Sequence, residues 1–109
     1  MKLADTYKAL GDPVRLKMVE RLSKNPAYTL GALSKGLGVT RQGARKHLVI
    51  LENARIVRLV PGGRETKVLL NGASLNKASS FISELGRAWD VRLEALRAFS
   101  EQHVESQDL

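Results

Sequence analysis

Cysteine is absent from this chain of 109 residues. Disulfides and thiolate metal sites are therefore excluded, and so is redox sensing through a thiol. No run of 18 or more apolar residues occurs, so no membrane span is predicted. No long apolar stretch follows Met1 and Lys2, so no secretion signal is expected either. These absences fit a cytoplasmic protein.

Histidine is scarce, and the two histidines fall on different predicted helices. No spacing suits a nucleophile with its base, a phosphate loop or a metal set, so we expect neither an enzyme nor a cofactor. His103 and Glu105 stand far from Asp90 on the last predicted helix, and the cation Arg92 opposes a metal near Asp90. We therefore expect no metal site.

Positive charge is concentrated in the first two-thirds of the chain. The net charge is +7, and residues 1–73 carry 14 basic and 5 acidic side chains against 4 and 6 in residues 74–109. A polyanion is the natural partner of the basic part. The alternative is that the excess positive charge serves only solubility, which would give the same composition.

The stretch from Thr40 to Leu51 predicts a helix with two unlike faces. Thr40 suits the N-cap, while Ala44, Leu48 and Leu51 recur at i, i+4 and i+7 as an apolar side. Such a helix fits the major groove of DNA, where Arg and Gln read guanine and adenine edges and Thr40 suits a phosphate. A solvated surface helix is the alternative. The predicted DNA-contacting side chains on this helix are Arg41, Gln42, Arg45 and Lys46.

Three further helices are predicted before this one. The first covers about residues 3–11, and the second begins at Pro13 after the N-cap Asp12 and ends near Lys24. The third is short and begins after the cap Thr29.

After the fourth helix, the short runs 56–61 and 66–70 predict a β-hairpin. Arg64 lies at its tip and Arg58 on a strand, where they can reach a minor groove or a phosphate, unless they are merely exposed charges. Ser74 is the expected N-cap of the last helix. The predicted fold is mainly α with a small hairpin: a winged helix-turn-helix of four helices, two strands and a fifth helix.

Apolar residues recur at gaps of three and four from Leu75 to Phe99, apart from a missing position at Arg92, which predicts one long helix. A helix of some 25 residues outruns a domain of this size, so its far half needs an apolar partner. A second copy of the chain is the simplest partner, and we expect a homodimer.

Five segments in this order resemble the ArsR-type (arsenic-repressor-like) transcriptional regulators. They are Ala9–Leu16, Leu30–Ser34, Lys46–Glu52, Gly63–Glu65 and Trp89–Leu96, and the resemblance covers roughly residues 4–100. The length of the chain predicts a single domain over residues 1–109. The resemblance implies that its first and last helices, about 3–11 and 74–103, form the dimer interface. The interface residues expected on that basis are Leu3, Tyr7, Leu10, Ile82, Leu85, Trp89, Leu93 and Leu96.

Many relatives of that type sense metals through cysteines on the third helix, where this chain has Leu30, Ala32 and Leu33. The expected function is a homodimeric regulator, in particular a repressor, that binds an imperfect palindrome in double-stranded DNA. A sequence-independent architectural module, which would bind any DNA in a salt-dependent way, is the alternative. A winged helix that binds proteins is a further one. An unidentified small molecule is the effector, or there is none; no membrane partner is expected.

Overall fold

Five helices and three strands make up the part of the chain that the computed structural model describes, residues 3–107, with side chains to residue 102. The predicted order of four helices, a hairpin and a long helix is confirmed, with one strand added. Residues up to Ala78 form one compact unit and residues from Ser79 a second. The elements are α1 Leu3–Leu10, α2 Pro13–Lys24, β1 Ala27–Thr29, α3 Leu30–Ser34, α4 Arg41–Asn53, β2 Val57–Gly62, β3 Glu65–Leu70 and α5 Gly72–Gln107.

Short-range caps start three of the helices, as predicted. Asp12 caps α2, the hydroxyl of Thr29 accepts a bond from the N–H of Ala32 at 3.2 Å, and that of Thr40 accepts one from Gly43 at 2.9 Å. Each cap satisfies an amide at the helix N-terminus that has no partner within the helix. These boundaries therefore follow from residues within one turn of each other.

The wing is a three-stranded antiparallel sheet in the order β1-β3-β2. Its hairpin turns on Gly63 and Arg64, because Gly62 still pairs with Glu65 and Gly63 adopts a φ of 58°. A two-residue turn favours glycine at such a positive φ. The third strand, β1, was not predicted, since three residues are too few to show a period of two.

The core of the first unit lies between α2, α3, α4 and the sheet. The apolar face of α4, formed by Ala44, Leu48 and Leu51, is completely buried in it. Because this face is fixed, the opposite face of α4 must point outward. The side chains that surround it include Met18, Leu22, Leu30, Leu33, Ile56 and Val68.

The start of α5 differs from the prediction that Ser74 caps it. The side-chain oxygen of Asn71 accepts the N–H of Ala73 at 3.2 Å, whereas the buried hydroxyl of Ser74 donates to the carbonyl of Ala54 at 3.0 Å. The hydroxyl of Tyr7 donates to the carbonyl of Ala78 at 2.7 Å. The first turns of α5 are thus attached to α1 and to the end of α4.

Arg55 ends α4 in a left-handed conformation, with a φ of 58°. Its N–H donates to the carbonyl of Glu52 and that of Ile56 to Leu51, both at 2.9 Å. This is a Schellman ending, in which the position after the cap usually holds glycine. A side chain there costs about 1 kcal/mol or somewhat more.

We therefore expect Arg55→Gly to raise the free energy of unfolding by about 1 kcal/mol, since it removes the steric cost of the Cβ atom. Urea unfolding of both proteins measures the change. Arg55→Ala is the matched control, because it removes the charge but keeps the Cβ. An equal gain in both variants would show that the guanidinium, and not the backbone, had been unfavourable.

The second unit is the remainder of α5, and its described side chains are exposed except for the half-buried Leu93. Most of its large apolar residues, though not Val91, lie along one side at the spacing that the sequence predicted. Those more than half exposed on that side include Ile82, Leu85, Trp89 and Leu96. Among residues 3–107, no helix combines the length and the apolar character that crossing a membrane requires.

Candidate nucleic-acid interface

A cleft of about 460 Å³ opens between the first turns of α4 and the wing. Three of the side chains predicted on α4 line this cleft together with the arginine predicted at the tip of the wing. The sequence suggested each of these residues but not that they line one cleft. None of the described residues that line the cleft is a carboxylate, so its three guanidinium groups give it a positive field, and the carboxylate of Glu65 lies nearby beside Gly31. The lining residues are Leu30, Arg41, Gln42, Arg45, Arg64 and Thr66.

Arg45 connects α4 to the wing. Its guanidinium donates a weak hydrogen bond of 3.5 Å to the hydroxyl of Thr66 on β3. The contact partly orients a long side chain that otherwise extends freely from an exposed position. Sequence reasoning missed Thr66, because nothing in residues 66–70 marks which neighbour a threonine will meet.

Thr40 has a double capacity at the N-terminus of α4. Its hydroxyl oxygen accepts the N–H of Gly43, which leaves its own proton free to donate to a phosphate oxygen. A Cβ atom on Gly43 would lie 3.1 Å from that same oxygen. An alanine at position 43 would therefore require the Thr40 side chain to shift by a few tenths of an ångström.

Two other predicted contacts lie outside the cleft lining. Lys46 is exposed on α4 and is not among the lining residues of the cleft. It can therefore contact only a molecule that approaches the outer surface of this helix. Arg58 pairs in register with Leu69, so it lies on the face of the sheet opposite to Thr66. The structure thus gathers Arg41, Gln42, Arg45 and Arg64 but not these two.

Arg21 of α2 fixes the turn that precedes α4, a role that no sequence pattern indicated. Its guanidinium donates to the carbonyls of Leu33 at 2.9 Å and Lys35 at 2.7 Å. Gly36 and Gly38 then reverse the chain with φ of 78° and 73°. The direction in which α4 leaves α3 is therefore held by a side chain from another helix.

A second polar connection joins α2 to the middle of α4. Arg15 donates to the carbonyl of Ala9 at 2.7 Å and lies 3.1 Å from Nδ1 of His47. His47 Nδ1 is also 3.9 Å from the carboxylate of Asp12. His47 is therefore a packed residue that positions α4, and it accepts from Arg15 in its neutral form with the proton on Nε2.

The backbone N–H of Arg15, which donates to Asp12 at 3.1 Å, lowers the pKa of that carboxyl below its ordinary 3.8. The N–H of Val14 at 2.8 Å and the charge of Arg15 act in the same direction, as does His47 when it is protonated, against the partial burial of the group. The charged form is thus favoured in the folded state.

A lowered pKa means that Asp12 stabilises the fold above pH 3.8 and loses that effect as the pH falls through its folded-state pKa. We expect the stability gap between wild type and Asp12→Ala to be constant near neutrality and to shrink below pH 4. Urea unfolding from pH 3 to 7 measures it. Asp12→Asn, which keeps a capping oxygen, should differ from Asp12→Ala by an amount independent of pH.

Among the side chains of residues 3–102, no three histidines or carboxylates come together as a metal site would require. Asp90 is exposed on α5, and the side chains of His103 and Glu105 lie outside the described residues.

A family profile described as a helix-turn-helix domain matches residues 10–60. The HTH-type transcriptional regulator YuzN of Bacillus subtilis (strain 168) is 33% identical over 75 residues, which span 63% of this chain and 82% of YuzN. The profile match over residues 10–60 spans α2, the turn and α4.

Solved structures extend the likeness to the whole fold. An ArsR-like transcriptional regulator from Rhodococcus sp. RHA1 is 33% identical, with a TM-score of 0.71 over 89% of this chain and 91% of its own. The transcriptional repressor BigR from Xylella fastidiosa is 26% identical, with a TM-score of 0.59 over 75% and 80% of the two chains. The chain belongs to the ArsR family of winged helix-turn-helix transcriptional regulators, with a helix-turn-helix domain for DNA binding.

Proposed function

We propose that this regulator is a homodimeric repressor that binds an imperfect palindromic operator in double-stranded DNA. The residues proposed to contact DNA are those predicted from the sequence: Thr40, Arg41, Gln42, Arg45, Lys46, Arg58 and Arg64. The observation that carries the proposal is the cleft between α4 and the wing, where guanidinium groups from both elements face one opening.

The chemistry of the cleft suits direct readout. The first turn of α4 presents Arg41 and Gln42, and Arg45 follows one turn later on the same side. Arg binds guanine and Gln binds adenine through paired hydrogen bonds at the edges of bases in the major groove. Arg64 at the tip of the wing is then suited to the adjoining minor groove or phosphate.

The apolar side of α5 supports the proposed dimer. Large apolar side chains on one side of residues 79–102, among them Ile82, Leu85, Trp89 and Leu96, are more than half exposed in the single chain and recur at intervals of one or two helix turns. Two such rows bury each other in a symmetric pair. The proposed interface comprises Leu3, Tyr7, Leu10, Ile82, Leu85, Trp89, Leu93 and Leu96, on helices that flank one DNA-binding domain.

Repression is proposed because a dimer that covers a promoter blocks polymerase without other components. A relative at 26% identity is a transcriptional repressor, which supports the same sense of regulation. A small-molecule effector is compatible with this role but not required by it.

Selection of bound DNA from a random pool tests the proposal. The expected product is an inverted repeat whose half-site centres are about 10 base pairs apart, because two reading helices meet successive major grooves. Enrichment of a direct repeat or of a single half-site would contradict the symmetric dimer. Binding without enrichment, with affinity that falls steeply with salt, would instead support a sequence-independent architectural module.

A further inference from the structure

A second polar cavity, of about 310 Å³, lies beside the C-terminal end of α4. It shares no lining residue with the cleft at the start of α4. Its volume is at the lower end of the range for small-molecule sites. Its walls come from α1, from the residue that ends α4 and from the beginning of α5, and they include Leu3, Thr6, Arg55, Asn71, Ser74 and Lys77.

The charge of this cavity is uncompensated. Arg55 and Lys77 bring two cations to its walls, and the described residues that line it include no Asp or Glu. Within residues 3–102, neither cationic side chain forms a hydrogen bond or an ion pair. The hydroxyl residues Thr6 and Ser74, which are 1% and 7% exposed, also line it. Two cations in a polar cavity favour an anionic occupant.

The backbone conformation of Arg55 supports the same conclusion. Glycine would end α4 at lower free energy, yet the chain has an arginine at a φ of 58°. Within residues 3–102, no hydrogen bond or ion pair of the guanidinium compensates that cost. An arginine in a strained backbone conformation at the wall of a cavity suggests a role in binding.

We propose that this cavity binds a small anion, either a carboxylate or a phosphate compound, through Arg55 and Lys77. The occupant would touch α1, the end of α4 and the start of α5 at once. This site does not depend on the proposed operator, since none of its residues is among the proposed DNA contacts.

Calorimetric titration of the full chain without DNA tests the site, with inorganic phosphate and malonate as separate probes at constant ionic strength. We expect saturable binding of at least one probe. At ten times Kd, its melting temperature should rise by about 5 °C. Arg55→Gly and Lys77→Gln should each weaken binding at least tenfold, while Lys77→Arg keeps the charge and restores it.

Two control variants locate the bound anion. Arg45→Gln removes a cation from the cleft and Arg87→Gln removes one from the second unit, and both should bind the probe as wild type does. The proposal fails if neither probe binds, if Arg55→Gly and Lys77→Gln bind normally, or if Arg45→Gln abolishes binding. Since no DNA is present, such a failure leaves the operator proposal untouched, and the melting temperature in chloride confirms that each variant is folded.

Discussion

Arg45→Ala is expected to reduce affinity for the selected operator by about 1–3 kcal/mol per half-site, and hence by roughly twice that for a symmetric dimer. Arg45 is the cleft residue that also bonds to the wing, through Thr66 at 3.5 Å. Its loss removes a potential bidentate contact to a base. Titration of labelled operator at fixed salt measures the effect.

Random DNA of the same length distinguishes a base-specific contact of Arg45 from a contact with the phosphate backbone. Affinity for it should fall much less, because a phosphate contact contributes equally to every sequence. Arg87→Ala is the matched control: it removes the same charge from a position opposite the apolar side of α5 and should leave operator affinity almost unchanged. Equal losses on operator and random DNA would assign Arg45 to phosphate alone.

Trp89→Ala is expected to raise the dimer dissociation constant at least 100-fold. Trp89 is 57% exposed in the single chain, so a dimer can bury about 140 Å² of it, worth on the order of 3 kcal/mol per protomer. Sedimentation equilibrium measures the change. Operator affinity should fall with it, because two linked reading helices bind far more tightly than one.

Val91→Ala provides the control for that experiment. Val91 is 70% exposed on the same helix but lies well away from the side that Trp89 shares with Leu85 and Leu96. Its truncation should leave both the dimer and operator affinity nearly unchanged. A Trp89→Ala protein that sediments as an unaltered dimer with full operator affinity would exclude this side of α5 as the interface.

Local chemistry made much of this fold predictable. The caps at Asp12, Thr29 and Thr40 depend on atoms within one helical turn, and the apolar period of α4 fixes its buried side. That period also places Arg41 and Arg45 on one outward face. Arg64 could be assigned to a hairpin tip because Gly62-Gly63 precedes it.

Contacts between distant residues were beyond the reach of such patterns. The strand β1 has only three residues and exists through its pairing with β3, some 40 positions later. Ser74 resembles a helix cap in the sequence, but its hydroxyl donates to the carbonyl of Ala54 instead. That carbonyl is near Ser74 only because the start of α5 packs against the end of α4. The meeting of Arg45 with Thr66 likewise depends on how the wing folds beside α4.

The hydrogen bonds from Arg21 to the carbonyls of Leu33 and Lys35 have a consequence for protein engineering. A segment from Leu30 to Asn53 looks like a portable DNA-reading unit, but the side chain that sets its internal angle belongs to α2. Transplanted alone, the segment would leave two carbonyls without this donor and α4 free to swing. A functional graft must therefore begin early enough to include Arg21, so the smallest transferable unit is larger than the motif it carries.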